Sequence, residues 1–114
     1  SDLWLFPIVW GILYILMGTA SYIVYSSDAP EISKQKALGL YIVQLGFNFL
    51  WPILFFTFGL CTAAAVLIVI LWVLILLTLL YFYRISKTAG YLIIPYLLWV
   101  TFAAYLNIAI CIIN

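Results

Sequence analysis

The chain has 114 residues, 70% of them hydrophobic and only 6% charged, with a net charge of +1. A soluble domain carries roughly 25% charged residues, so a water-facing globular surface is excluded, and the near-neutral balance excludes the basic footprint of a nucleic-acid binder. There is no His, and Asp2, Asp28 and Glu31 are the only acids, so a metal site built from imidazole and carboxylate is not expected.

Four apolar segments follow in order, at residues 3–25, 37–58, 61–83 and 90–113. Each reaches the roughly 20 residues needed to cross about 30 Å of hydrocarbon. Lipid cannot hydrogen-bond an exposed backbone, so open-ended segments must be helices. The expected fold is an all-α membrane protein: one domain, an up-and-down bundle of four transmembrane helices with short connectors.

The first segment opens with Trp4, placed to anchor at the membrane interface. Phe6, Trp10 and Tyr14 then recur at helical spacing and form an aromatic stripe. A polar connector with Asp28, Pro30, Glu31, Lys34 and Lys36 leads to the second segment. There Gln44, Asn48 and Trp51 fall at i, i+4 and i+7, on one helical face. Two amides in hydrocarbon cost free energy unless paired or wet. They read either as hydrogen-bond glue between helices or as part of a site. Gly39, Val43 and Gly46 form a low-relief face suited to close helix approach, and a homodimer through the second helix is expected. Gly18 reads the same way on the first helix.

Gly59 makes a tight break before the third segment, which is aliphatic on all faces and reads as a scaffold largely facing lipid, with Trp72 in packing or lipid contact. Arg84 and Lys87 mark the last connector. On the fourth segment Trp99, Ala103 and Leu106 share a face, with Asn107 beside it. Pro7, Pro52 and Pro95 are expected to set bends. Cys61 and Cys111 lack metal-ligand spacing and are too few for a disulfide framework; each reads as a small apolar packing residue. No charged stretch precedes an apolar run with a small-residue cleavage site, so no signal peptide is expected.

All four basic residues lie in the first and third connectors, which places that side in the cytoplasm by the positive-inside rule. Three aromatic-rich faces, two carrying amides, are expected to enclose a cavity between helices. No ionisable group lies deep in a segment, which argues against ion or proton conduction. An aromatic cavity with a few neutral polar groups suits a large, flat, mostly apolar ligand.

Three stretches carry a resemblance. WLFPIVWGILYILMG, ALGLYIVQLGFNFLWPILFF and LIIPYLLWVTFAAYLN occur in that order over nearly the whole chain. Together they resemble the tryptophan-rich sensory protein family, which includes the mitochondrial translocator (peripheral benzodiazepine receptor) type. The family has five membrane helices, and the four segments here match its second to fifth; its first helix and most of the loop after it have no counterpart in this sequence. The resemblance implies binding of porphyrins or related tetrapyrroles, with sterols and benzodiazepine-type ligands also in the family's range, and no required cofactor. It carries pocket residues over to Trp10, Tyr14, Asn48, Trp51, Trp99, Ala103 and Leu106. With Gln44 and Asn107 from the spacing argument, these are the candidate ligand-binding residues. The family's sterol motif needs a Tyr followed by an Arg; here Ile108 holds the Tyr position and no Arg follows it.

The leading expectation is therefore an integral membrane receptor or sensor for tetrapyrroles, in a bacterial cell membrane or, in a eukaryote, the mitochondrial outer membrane. The alternatives are a tetrapyrrole transporter and an enzyme promoting light-dependent porphyrin degradation. No acid–base pair or activated nucleophile is visible, so hydrolytic or proton-transfer catalysis is not expected.

Overall fold

The computed structural model describes residues 4–114. Four helices follow one another: α1 (Leu5–Tyr25), α2 (Glu31–Pro52), α3 (Cys61–Ile85) and α4 (Lys87–Ile113). A π-helical turn, Ile53–Thr57, continues α2 beyond Pro52. All four are long and apolar enough to cross a membrane. The chain is an integral membrane protein of all-α class, and short connectors make consecutive helices antiparallel.

Local chemistry fixes the helix ends. Pro30 is extended, and its carbonyl accepts from the Ser33 and Lys34 N–H groups. A proline is restrained against preceding a helix in any other way than at its edge, so α2 starts at Glu31 rather than near residue 37. The polar residues Glu31–Lys36 form helix that projects beyond the hydrocarbon; hydropathy marks the membrane boundary and not the helix boundary. Between α3 and α4 only Ser86 is extended, and its hydroxyl oxygen accepts from the Ala89 N–H at 3.3 Å. That cap starts α4 at Lys87, three residues before the apolar segment begins.

Pro52 has no N–H to give, and the next turn widens: the Phe58 N–H bonds to the Ile53 carbonyl at 3.1 Å, one residue further back than an α-helix would. The turn then closes at Gly59, whose φ of +63° lies in the left-handed region that glycine alone enters freely.

The packing is a ring. α3 lies against both α2 and α4, α1 packs on α4 and more lightly on α2, and the α2 and α4 backbones stand apart, joined only through side chains. α3 buries Ala64, Leu67, Ile68, Leu71, Ile75, Thr78 and Phe82. The share of its most apolar window that is buried is 33%, against 22% for α1 and 11% for α2. α3 is thus the central helix, while its outer face, with Val66, Val69, Ile70 and Val73 exposed, is left to lipid as expected of a scaffold. An all-aliphatic helix carries no periodicity to say which face is inside, because lipid and protein interior are equally apolar.

Within the single chain the glycines divide by what they face. A Cβ added at Gly18, Gly39 or Gly46 would meet no atom within 4 Å, so no helix of this chain approaches there. The tight contact is at Gly90, where a Cβ would stand 2.6 Å from the Tyr83 Cβ and 2.8 Å from its Cα. Glycine at that position lets α4 turn back closely onto α3.

Cys61 and Cys111 are not free packing residues. They form a disulfide, with Cα atoms 5.7 Å apart and a separation of 50 positions in sequence. Antiparallel helices of similar length bring the first residue of α3 beside the last turn of α4, a proximity invisible in linear spacing.

Candidate functional site

Because α2 and α4 stand apart, a cleft opens between them at the end of the bundle away from the charged connectors. It is a partly open cavity of about 530 Å³. α1 contributes Phe6 and Trp10. Trp51 and Pro52 of α2, with Phe55 and Phe56 of the π turn, form a second wall. α4 supplies Trp99, Phe102, Ala103, Leu106, Asn107 and Ile110. The volume lies within the range of small-molecule sites, about 300–1,000 Å³.

Each wall has a sequence cause. Trp99, Ala103, Leu106 and Ile110 recur every three or four residues, so one face of α4 lines the cleft. Pro95, one turn before Trp99, leaves the Tyr91 carbonyl without its usual intrahelical donor and is a natural bending point. The π turn rotates Phe55 and Phe56 toward Trp51: the Trp51 and Phe55 rings stack at 5.3 Å, and Phe56 meets Trp51 edge-on at 5.8 Å. Across the cleft, Trp10 stands edge-on to Trp99 at 6.2 Å, and Phe6 edge-on to Trp99 at 5.9 Å. These pairs fall within the 4.5–7 Å range of favourable aromatic geometry.

One polar group sits in this wall. The Asn107 Oδ1 accepts from the Trp51 indole N–H at 2.8 Å, and its Nδ2 donates to the Cys61 carbonyl at 3.2 Å. Asn107 thus ties α4 to the end of α2 and the start of α3. Trp10 and Trp99 donate to no partner among the described residues, so their indole N–H groups remain available to a ligand.

Deeper in the bundle lies a separate hydrogen-bonded chain. The Tyr14 hydroxyl donates to Asn48 Oδ1 at 2.7 Å, and Asn48 Nδ2 donates to the Tyr96 hydroxyl at 3.0 Å. The Tyr96 hydroxyl donates to Gln44 Oε1 at 2.5 Å, and Gln44 Nε2 donates to the Tyr41 carbonyl at 2.9 Å. Among the described residues no buried side-chain polar atom lacks a partner.

The nine candidates therefore separate into two groups. Trp10, Trp51, Trp99, Ala103, Leu106 and Asn107 line one cavity. Gln44 and Asn48 are buried in the network below it, and Tyr14 joins them through its hydroxyl while its ring stacks on Trp10 at 5.6 Å. Tyr96 is the residue that sequence reasoning missed. It is 1% exposed and joins both amides. Its signal was present: a phenol in mid-helix must find a hydrogen-bond partner in hydrocarbon. Trp72 lies on the other side of α4, where its indole donates to Thr101 Oγ1 at 2.7 Å.

Among the described residues no side chain in the cavity wall is ionisable. The site can stack, exclude water and donate hydrogen bonds from indoles.

The chain matches known proteins over nearly its whole length. The model of the TspO/MBR family matches residues 2–113. The tryptophan-rich protein TspO of Chlorobaculum tepidum is 44% identical over 111 residues, covering 97% of this chain and 70% of that protein. A protein of the same name from Archaeoglobus fulgidus is 42% identical over 111 residues, with 97% and 71% coverage. The translocator protein of Sus scrofa is 37% identical over 106 residues, covering 91% of this chain and 62% of that protein.

Proposed function

Since this chain belongs to the TspO/MBR family, we propose that it is a membrane receptor or sensor that binds a tetrapyrrole in the cleft between α1, α2 and α4. The observation that carries this reading is the cavity wall itself. Trp10, Trp51 and Trp99 are brought from three helices to one space with aromatic neighbours and, among the described residues, no charge. A flat macrocycle gains from ring contacts on each side, and the open edge accommodates its periphery. The two free indole N–H groups suit a ligand bearing acceptors, such as porphyrin carboxylates or carbonyls.

Titration with protoporphyrin IX in detergent tests the reading. Saturable quenching of tryptophan fluorescence is expected; a linear, non-saturating response would set it aside. The two alternatives separate from it by further readouts. Light-dependent loss of porphyrin absorbance without added oxidant chemistry in the dark would favour degradation, with Trp10 and Trp99 as the oxidisable contacts. Porphyrin flux in proteoliposomes would favour transport.

We also propose that the chain pairs with a second copy through α2. Gly39 and Gly46 are exposed with open space around them, and Val43 between them is 49% exposed. A face of small residues that no helix of this chain covers allows two backbones to approach. Gly46→Leu is expected to reduce crosslinked dimer several-fold in detergent; an unchanged dimer would remove α2 from the interface.

A further inference from the structure

The segments that carry two walls of the cavity are joined just beyond it by a covalent bond. Cys61 is the first residue of α3, two positions after the Gly59 turn and just beyond the π turn that carries Phe55 and Phe56. Its N–H bonds the Gly59 carbonyl at 3.0 Å, and the Leu60 N–H bonds the Leu54 carbonyl at 2.9 Å, so Cys61 is mechanically continuous with that wall. Cys111 follows Ile110, which lines the opposite wall. The disulfide between them joins the two walls. Asn107, one turn before Cys111, lies against the bond: its Nδ2 is 3.3 Å from Cys111 Sγ and 3.2 Å from the Cys61 carbonyl oxygen, while its Oδ1 holds the Trp51 indole.

We propose that the Cys61–Cys111 disulfide is a redox-sensitive clasp on the cavity, whose reduction by a dithiol releases Asn107 and Trp51 and loosens the site. The step balances. One thiolate of the dithiol attacks a cysteine sulfur and displaces the other as thiolate; the second thiol of the reductant resolves the mixed disulfide. Two electrons and two protons pass to the pair, giving two Cys thiols, and the reductant leaves as its own disulfide. Two thiols cannot remain at bonding distance, so the sulfurs move apart and the start of α3 and the last turn of α4 lose their covalent tie. The Asn107 Nδ2 contacts to both cysteines are the first to be lost, and the Trp51 indole is held through the same amide.

Two features make the bond addressable. Both cysteines are only partly buried, so a reductant can reach them. They also lie at the end opposite the four basic residues, on the non-cytoplasmic side by the charge rule, where disulfides persist and where a change in redox poise would be sensed. The clasp itself stands on the geometry. Its effect on ligand rests on the reading of the cleft as a tetrapyrrole site.

The test uses the purified full chain in detergent. Maleimide labelling after denaturation should find no free thiol in untreated protein and two after treatment with a phosphine reductant or dithiothreitol; two free thiols in untreated protein would overturn the proposal. Hydrogen–deuterium exchange of the ligand-free protein should then rise on reduction in residues 53–64 and 103–113, with residues 67–82 unchanged. Equal exchange in both states would overturn it. Protoporphyrin IX affinity should fall at least threefold on reduction. The Cys61→Ser/Cys111→Ser protein should start at the weaker value and ignore reductant. Equal affinity in oxidised and reduced wild type would refute the coupling. If protoporphyrin IX bound in neither state, the tetrapyrrole reading would fail, and the exchange comparison would still decide the clasp.

Discussion

Replacing both Trp10 and Trp99 with Phe should weaken protoporphyrin IX binding tenfold or more. Trp10 stands edge-on to Trp99 and stacks on Tyr14, so the pair forms one continuous aromatic surface from α1 to α4. Each ring placed against a macrocycle contributes roughly 0.5–1.5 kcal/mol beyond its area burial, and about 1.4 kcal/mol is a factor of ten in affinity. Phe keeps apolar bulk, reduces the stacking surface and deletes both free N–H donors. Trp72→Phe is the control. It breaks a bond to Thr101 on the far side of α4, so it should lower stability slightly and leave affinity unchanged. Equal losses in the control and the double variant would mean that the indoles serve packing alone. The readout is the dissociation constant from fluorescence quenching, with each variant first shown to be helical by circular dichroism.

The second large effect concerns stability. Tyr96→Phe should destabilise the bundle by about 1–3 kcal/mol, the usual cost of leaving buried polar groups unpaired. The change deletes the acceptor for Asn48 Nδ2 and the donor for Gln44 Oε1 together, and both amides are almost fully buried. Tyr14→Phe removes one bond at a half-exposed site and should cost less than about 1 kcal/mol, near the average for interhelical hydrogen bonds in membranes. Unfolding in mixed micelles at increasing denaturing detergent measures the order. Equal losses for the two variants would show that Tyr96 is not the hub of the network.

Much of this arrangement could be read from residue spacing, for identifiable reasons. Trp51 and the two amides fell on one face because a helix repeats every 3.6 residues, and Trp99, Ala103 and Leu106 did so for the same reason. Spacing could not say how far each side chain lies along the cleft. Asn48 and Trp51 are three residues apart, yet Asn48 bonds Tyr96 in the interior while Trp51 faces the cavity. The burial of α3 was illegible because Val, Ile and Leu face lipid and protein alike. The start of α2 was hidden because Glu31–Lys36 are helical outside the hydrocarbon. The π turn depends on where the Pro52 defect is absorbed, and the disulfide depends on the antiparallel register of α3 and α4. Both are properties of three-dimensional placement rather than of local composition.

Ala103 and Ala104 offer the most direct test of the cleft as the binding site. They are neighbours in sequence and differ in what they face. Ala103 lines the cavity with Trp10, Trp51 and Trp99, whereas Ala104 lies in a groove with Val69, Trp72 and Thr101. One protoporphyrin IX titration, run on wild type, Ala103→Trp and Ala104→Trp, compares filling the cleft with filling the opposite side of the same helix. Saturable binding in wild type and Ala104→Trp, with loss in Ala103→Trp, is the predicted result. Retained affinity in Ala103→Trp, or equal loss in both variants, would contradict binding in the cleft between α1, α2 and α4.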